Sequence, residues 1–361
     1  MDKTDNTTAK HTQAIAYSLG FITFVLVVYI LMSLKKILIP ITISIFLTYL
    51  FYPLVAYLKK YRIPKWVSLI LILIFISGIY YLIGLLIVAN FDNFTAKLEI
   101  YSANLAHFLQ NMLSPFNLTV HELGQMLNIR TEEFNINSIF QSLFKAGIIQ
   151  NIFNSFSSML GDFFITMVFW VFMILGKSKF EDRLKSAFYG TKVNVEKYLT
   201  SINIQLQSYI IIKTITSLAT GIIVTLILWA FGIDFALFWG ILTFVLNFIP
   251  NIGSLIATIF PIIISFLEYG FGVKTVSLSL LLILNQNLIG SFIEPHYMGR
   301  QMDLSPVFVL FSLIFWGWIW GIAGMFLSVP IAATMKILFS NIEPLKPLAV
   351  ILGSKPAPMS E

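Results

Sequence analysis

The stretch from Phe235 to Leu267 reads FALFWGILTFVLNFIPNIGSLIATIFPIIISFL and contains no charged residue. Near its middle stands Pro250-Asn251-Ile252-Gly253. Proline removes a backbone donor and clashes with the preceding turn, and glycine loosens a helix further. As one helix the stretch would run roughly 50 Å, too long for a hydrocarbon core of about 30 Å. Each half alone is roughly 24 Å, somewhat short for a comfortable crossing. Broken backbone at membrane depth is tolerated only when buried in protein or lining a cavity. The spacing therefore predicts a re-entrant pair of half-helices, an arrangement that points to a transporter.

The rest of the chain agrees with a membrane setting. Of 361 residues, 58% are hydrophobic and 11% are charged, and the mean hydropathy is +0.86. Soluble domains carry about 25% charged residues. The expected fold is all-α and polytopic, with about six full transmembrane helices and two broken hairpins; full spans in place of hairpins give an eight-span alternative. The net charge of +6 does not signal nucleic acid. The basic residues fall in short loops, where they set topology. The absence of cysteine excludes disulfides, thiol catalysis and cysteine-held metal.

Residues 1–13 are polar and are expected to form a disordered cytoplasmic tail. The segment 14–90 carries three spans: Ala14 to Leu34, Ile37 to Leu58 and Trp66 to Asn90. Residues 91–153 mix polar residues with helical apolar spacing (Leu105, Phe108, Leu109, Met112), as in a small extracytoplasmic helical subdomain. The fourth span occupies 154–176, and the basic segment 177–208 reads as an amphipathic helix on the cytoplasmic leaflet. A transport core follows over 209–341: the fifth span from Tyr209 to Ile233, hairpin 235–267, the sixth span from Val276 to Ile293, and hairpin 304–335. Lys213 is expected to snorkel to an interface. The tail 342–361 is proline-rich and short. Lysine and arginine near span ends place both termini of this multi-pass chain in the cytoplasm, with Lys35 and Lys36 against the trend.

Two interrupted apolar segments entering from opposite faces are a pointer to a midplane transport site. In the first, Asn247 and Asn251 share a face if the helix holds, with Pro250 and Gly253 freeing backbone groups between and beyond them. On the sixth span Asn287, Gly290 and Glu294 share a face by the same spacing, while Asn285 and Gln286 point elsewhere. Such amides suit a small polyhydroxylated solute, or else satisfy one another as interhelical glue. Trp316 and Trp320 line the pathway if 304–335 is a hairpin, and belong to an interfacial belt if it is two spans. Asp162 is a candidate proton or cation relay, or a cap for a helix starting after Gly161. Glu294 is either a coupling carboxylate or an interfacial acid. His11, His107, His121 and His296 have no ligand spacing, and no nucleophile or Walker A motif is present. No catalytic residue, metal or cofactor is expected.

These residues carry a family resemblance. Tyr209 to Gly221, Leu237-Phe238-Trp239-Gly240, Asn247 to Ser254 and the block Ile293 to Ile331 resemble the autoinducer-2 exporter family of bacterial permeases. The last block holds the Glu-Pro, Met-Gly-Arg, Leu-Ser-Pro, Trp-Gly-Trp and Ser-Val-Pro elements, and the resemblance covers nearly the whole chain. Asp303 departs from a frequent glycine, and Ile322-Ala323 from a proline-containing turn. The resemblance implies export of autoinducer-2, assembly as a homo-pentamer, substrate binding by the two hairpins and an elevator-like movement. Some members resemble sodium/proton antiporters. Three functions are thus carried forward: a permease for a small polar solute, a cation/proton antiporter, and a membrane scaffold or sensor that transports nothing.

Overall fold

A computed structural model describes residues 2–116, 148–189, 195–298 and 304–354. Apart from one isolated bridge between Leu304 and Gly353, the regular structure among the described residues is helical. Helices α1 (Asp2–Ser33), α2 (Lys35–Lys60), α3 (Lys65–Leu113), α4 (Ile148–Ala187) and α5 (Val195–Ala230) precede the first hairpin. That hairpin consists of α6 (Ala236–Leu246) and α7 (Ile252–Tyr269). Helix α8 (Val273–Asn287) passes through a π turn (Leu288–Ile293) into α9 (Glu294–Met298). The second hairpin is α10 (Pro306–Trp320) and α11 (Ile322–Asn341), followed by α12 (Lys346–Leu352). Eight helical stretches among the described residues are long and apolar enough to cross a membrane; α6 and α10 are apolar but shorter.

The helices stop where the backbone leaves right-handed space. Gly232 (φ 63°) and Phe235 (φ 60°) bound the connection from α5 to α6, Gly270 (φ 71°) ends α7, and Gly321 (φ 64°) separates α10 from α11. Both hairpins are unequal, where the sequence suggests equal halves. Eleven residues in α6 rise about 16 Å and eighteen in α7 about 27 Å. The reason is that α6 stops at Leu246, ahead of Pro250, while α7 tolerates Pro261 in its interior and runs on to Tyr269. Pro330 likewise lies inside α11 without breaking it.

Three other expectations change. Residues 2–13 continue α1 as helix, with no glycine or proline before Gly20 to stop it. Helix α3 runs unbroken past Asn90 to Leu113, because Pro115 is the first breaker after Gly84. The central part of the expected outer subdomain, 117–147, lies outside the described residues, as do 299–303 with Asp303 and the end of the tail from 355. The segment 177–208 is not one helix: α4 continues to Ala187 and α5 starts at Val195. Lys185 pairs with Glu196 at 2.7 Å and Asn203 donates to Glu181 at 3.2 Å, tying those two helix ends together.

The chain forms two compact units. One comprises Met1–Thr48, Ile165–Phe180 and Leu304–Glu361. In it α10 and α11 pack closely, since a Cβ on Gly324 would lie 1.9 Å from the Trp316 carbonyl oxygen. The Trp320 indole donates to the Leu31 carbonyl at 3.1 Å, and Ser312 donates to the Ser328 carbonyl at 2.9 Å. The other unit comprises Tyr49–Phe164 and Glu181–Asp303. Its core gathers Tyr101, Val224, Leu228, Ile233, Trp239, Ile264, Leu267, Leu278 and Leu282. Gly221 of α5 meets Gly240 of α6 so closely that a Cβ on either would lie 2.7 Å from the other's carbonyl oxygen.

Candidate functional site

The second unit gathers its polar groups along α5. Lys213, Thr216, Ser217 and Thr220 recur at helical spacing, and all are buried. Opposite Ser217 lies the break of the first hairpin. Helix α6 ends at Leu246, and the turn closes through Ile249 N–H to the Leu246 carbonyl (2.8 Å) and Gly253 N–H to the Ile249 carbonyl (3.1 Å). Only glycine fits at 253, because a Cβ there would stand 1.7 Å from the Leu246 carbonyl oxygen.

This turn buries Asn247 and exposes Asn251, so the two do not share a face. The Asn247 amide donates to Ser217 Oγ at 3.0 Å, and its carbonyl accepts from Gln286 Nε2 at 3.4 Å. One carboxamide thus joins α5, the hairpin tip and α8. Asn251 (φ 58°, ψ −52°) offers its carbonyl to Ser254 Oγ at 2.9 Å, and Pro250 holds the turn before it. Beside the tip is an open groove of about 340 Å³, bordered by Asn251, Ser254 and Thr258 on one side and Ile283, Gln286 and Asn287 on the other.

Of three consecutive amides at the end of α8, the sequence favours Asn287, which borders the groove; Gln286, which the sequence sets aside, is the one that reaches Asn247. Thr275, Leu278, Leu282 and Asn285 form the buried stripe of α8, with Gln286 turned toward Asn247 and Asn287 exposed on the groove rim. Asn287 donates back to the Ile283 carbonyl at 2.9 Å. The Asn285 amide nitrogen is buried without a hydrogen-bond partner.

Glu294 and Lys213 are corrected together. The π turn ends with Glu294 N–H on the Ile289 carbonyl, a five-residue step that rotates Glu294 off the face of Asn287. Glu294 accepts from Lys213 Nζ at 2.7 and 2.8 Å, with side chains 14% and 8% exposed respectively. Lys213 is buried in this pair, well inside α5. Asp162 lies inside α4, exposed and just within the end of the apolar stretch Leu160–Ala187, so it caps no helix. In the other unit, Trp316 and Trp320 lie 4.8 Å apart between ring centres, and both are largely buried.

A second polar cluster has no counterpart in the sequence reading. At the base of the first hairpin, Lys97 of α3 forms an ion pair with Asp234. The Tyr101 hydroxyl lies 3.2 Å from Asp234 Oδ2 and 3.2 Å from Glu268 Oε1. Asp234 N–H donates to Glu268 Oε1 at 3.1 Å, and Asn104 donates to the Leu267 carbonyl at 2.7 Å. Burial alone would raise the Asp234 carboxyl, but its hydrogen bond with Glu268 and the Lys97 ammonium outweigh this and hold it below the usual range. Burial, then the two carboxylates, push the Tyr101 hydroxyl up. The cluster fastens both ends of the hairpin to α3.

Comparison with known proteins adds the family. A family model described as "AI-2E family transporter" matches residues 19–343. Two proteins named "Putative transport protein" are similar. That of Borreliella burgdorferi is 29% identical over 316 residues, covering 87% of this chain and 84% of that protein. That of Haemophilus influenzae is 29% identical over 324 residues, covering 88% and 90%. The "AI-2 transport protein TqsA" of Escherichia coli K12 is 28% identical over 322 residues, again covering 88% and 90%.

Proposed function

Because this chain belongs to the AI-2E transporter family, we propose that it is a secondary permease exporting a small polar molecule, with autoinducer-2 as the leading substrate. The observation that carries this reading is the joint at Asn247. A hairpin break in an apolar, multi-pass chain is held by a single carboxamide shared with Ser217 and Gln286, next to a groove of about 340 Å³. That volume suits a small solute. Asn251, Ser254, Thr258, Gln286 and Asn287 offer hydroxyl and amide groups to a polyhydroxylated ligand, while Leu255, Ile259, Ile262 and Ile283 supply a larger apolar wall. In this proposal both termini are cytoplasmic, the membrane is the bacterial inner membrane, and the protein acts as a homo-oligomer, a pentamer by resemblance.

Everted membrane vesicles containing the protein test this. Labelled autoinducer-2 accumulates in a protein-dependent way, and Asn247→Ala or Gln286→Ala lowers accumulation by about tenfold or more, the effect of roughly 1.4 kcal/mol or greater. Accumulation equal to that of vesicles lacking the protein overturns the substrate. Variants transporting like the wild type overturn the site. The buried Lys213–Glu294 pair favours a second reading, cation/proton antiport, which sodium-driven proton movement without autoinducer-2 would establish.

A further inference from the structure

Asn285 is only 7% exposed, and its amide nitrogen has no acceptor among the described residues. A buried donor left unmade costs its full desolvation, so each one in a native fold calls for a reason. The packing supplies none. Leu282 before it and Ile289 after it are buried on the same side of the chain, so leucine at 285 would continue an apolar stripe. Other buried hydroxyls on α5 and α8 do find acceptors. Thr216 donates to the Lys213 carbonyl at 3.2 Å, Thr220 to the Thr216 carbonyl at 2.8 Å, and Thr275 to the Gly270 carbonyl at 2.8 Å. Among the described residues Trp239 Nε1 and Glu268 Oε2 are also buried and unpaired, but they belong to the arms and base of the hairpin. Asn285 belongs to its tip, because the next residue, Gln286, reaches Asn247.

Its neighbours on α8 already border the groove. Ile283, Gln286 and Asn287 line one wall, and the Gln286–Asn247 contact is 3.4 Å, beyond the usual span of an N–H···O bond. So long a contact is readily exchanged for one to a guest. We propose that Asn285 is a solute-holding residue of the transport site. Its amide nitrogen donates to an oxygen of the transported solute, which lodges between α8 and the hairpin tip in place of the Gln286–Asn247 contact. Gln286 Nε2 donates to the solute's hydroxyls and Asn247 Oδ1 accepts from them, while the Asn247 amide keeps its bond to Ser217. One turn along α5, the charges of Lys213 and Glu294 match each other, so the guest meets amides and hydroxyls, the partners of an uncharged hydroxylated molecule. The empty-handed protein keeps the spare donor at a cost in stability, as functional sites commonly do. This role deepens the permease reading and rests on it for the identity of the guest, though not for the spare donor.

Asn285→Leu separates this role from a structural one, because it removes the donor and keeps the same branching of heavy atoms. In the detergent-solubilised full chain without solute, thermal unfolding is followed by tryptophan fluorescence. The Tm of the variant is expected to rise by about 2 °C or more, since an unpaired donor leaves the core. In everted vesicles of matched protein content, the half-saturating concentration of labelled autoinducer-2 is expected to rise about tenfold, with the maximal rate held within about twofold. A residue that merely supports the fold would lower the Tm instead. A Tm at or below that of the wild type, or a variant that does not fold, therefore overturns the proposal. An unchanged half-saturating concentration overturns it as well. The unfolding arm contains no solute, so the two readings fail separately. Wild-type vesicles that accumulate no autoinducer-2 sink the substrate alone if the Tm of the variant rises, whereas intact wild-type transport with an unraised Tm sinks the role of Asn285 alone.

Discussion

Gly253→Ala is the most direct test of the hairpin geometry. A Cβ at 253 would stand 1.7 Å from the Leu246 carbonyl oxygen and 2.6 Å from its carbon, where ordinary contact begins near 3.4 Å. The obstacle is backbone at the end of α6, so no side-chain rotation relieves it. The tip must open by more than an ångström, and overpacking of this kind sits at the upper end of its range, about 3 kcal/mol. The control is Gly78→Ala, inside α3, where an added Cβ meets nothing within 4 Å. There alanine gains about 0.5–1 kcal/mol by restricting the unfolded chain. Denaturant unfolding in micelles, followed through tryptophan fluorescence, reads both; Trp239 is buried in the core of the same unit. The two variants are expected to differ by about 4 kcal/mol. Gly253→Ala within about 1 kcal/mol of the wild type would show that the tip does not close as described, and the Asn247 joint would lose its structural basis.

Two further outcomes follow from the polar clusters. Lys213→Met alone leaves Glu294 buried without its cation and is expected to cost about 3–5 kcal/mol in the same unfolding assay, whereas Lys213→Gln/Glu294→Gln falls close to the wild type; equal losses in both would mean the pair is not buried as a unit. Asp234 has a carboxyl pKa depressed in the folded state, so its pairing with Lys97 adds stability at pH values above its unfolded value near 3.8. That contribution is lost as pH falls through the folded value. Asp234→Asn should therefore flatten the acid limb of stability against pH and leave the neutral region lower. An unchanged acid limb would remove Asp234 from the clamp.

How much of this was legible from the residues depends on what kind of signal each feature leaves. The hairpins were readable because Pro250, Gly253, Gly321 and Gly324 interrupt long apolar runs, and a break in a membrane segment needs a reason. Their unequal arms were not, since α6 ends at Leu246, ahead of Pro250, and α7 carries Pro261 without breaking. Asn247 was readable as a buried amide, but its partner was not. The sequence Leu-Ser-Leu-Leu-Leu-Ile-Leu before Asn285 is apolar nearly all round, so it gives no phase to say which of three amides turns inward. The tertiary contacts of Leu278 and Leu282 set that rotation: Asn285 turns inward, Gln286 reaches Asn247 and Asn287 stays on the groove rim.

The base clamp was hidden for a different reason. Tyr101 is separated from Asp234 by 133 residues and from Glu268 by 167, and no periodicity links residues across such distances. Its one sequence trace is that Asp234 and Glu268 flank the uncharged run from Phe235 to Leu267. That placement has a mechanical consequence. Both ends of the hairpin are fastened to α3 through charged groups, while its tip is fastened by one neutral carboxamide to Ser217 and Gln286. The two ends of this element are thus held by different chemistry, a partly exposed ion pair and carboxyl contacts at the base and one buried neutral carboxamide at the tip.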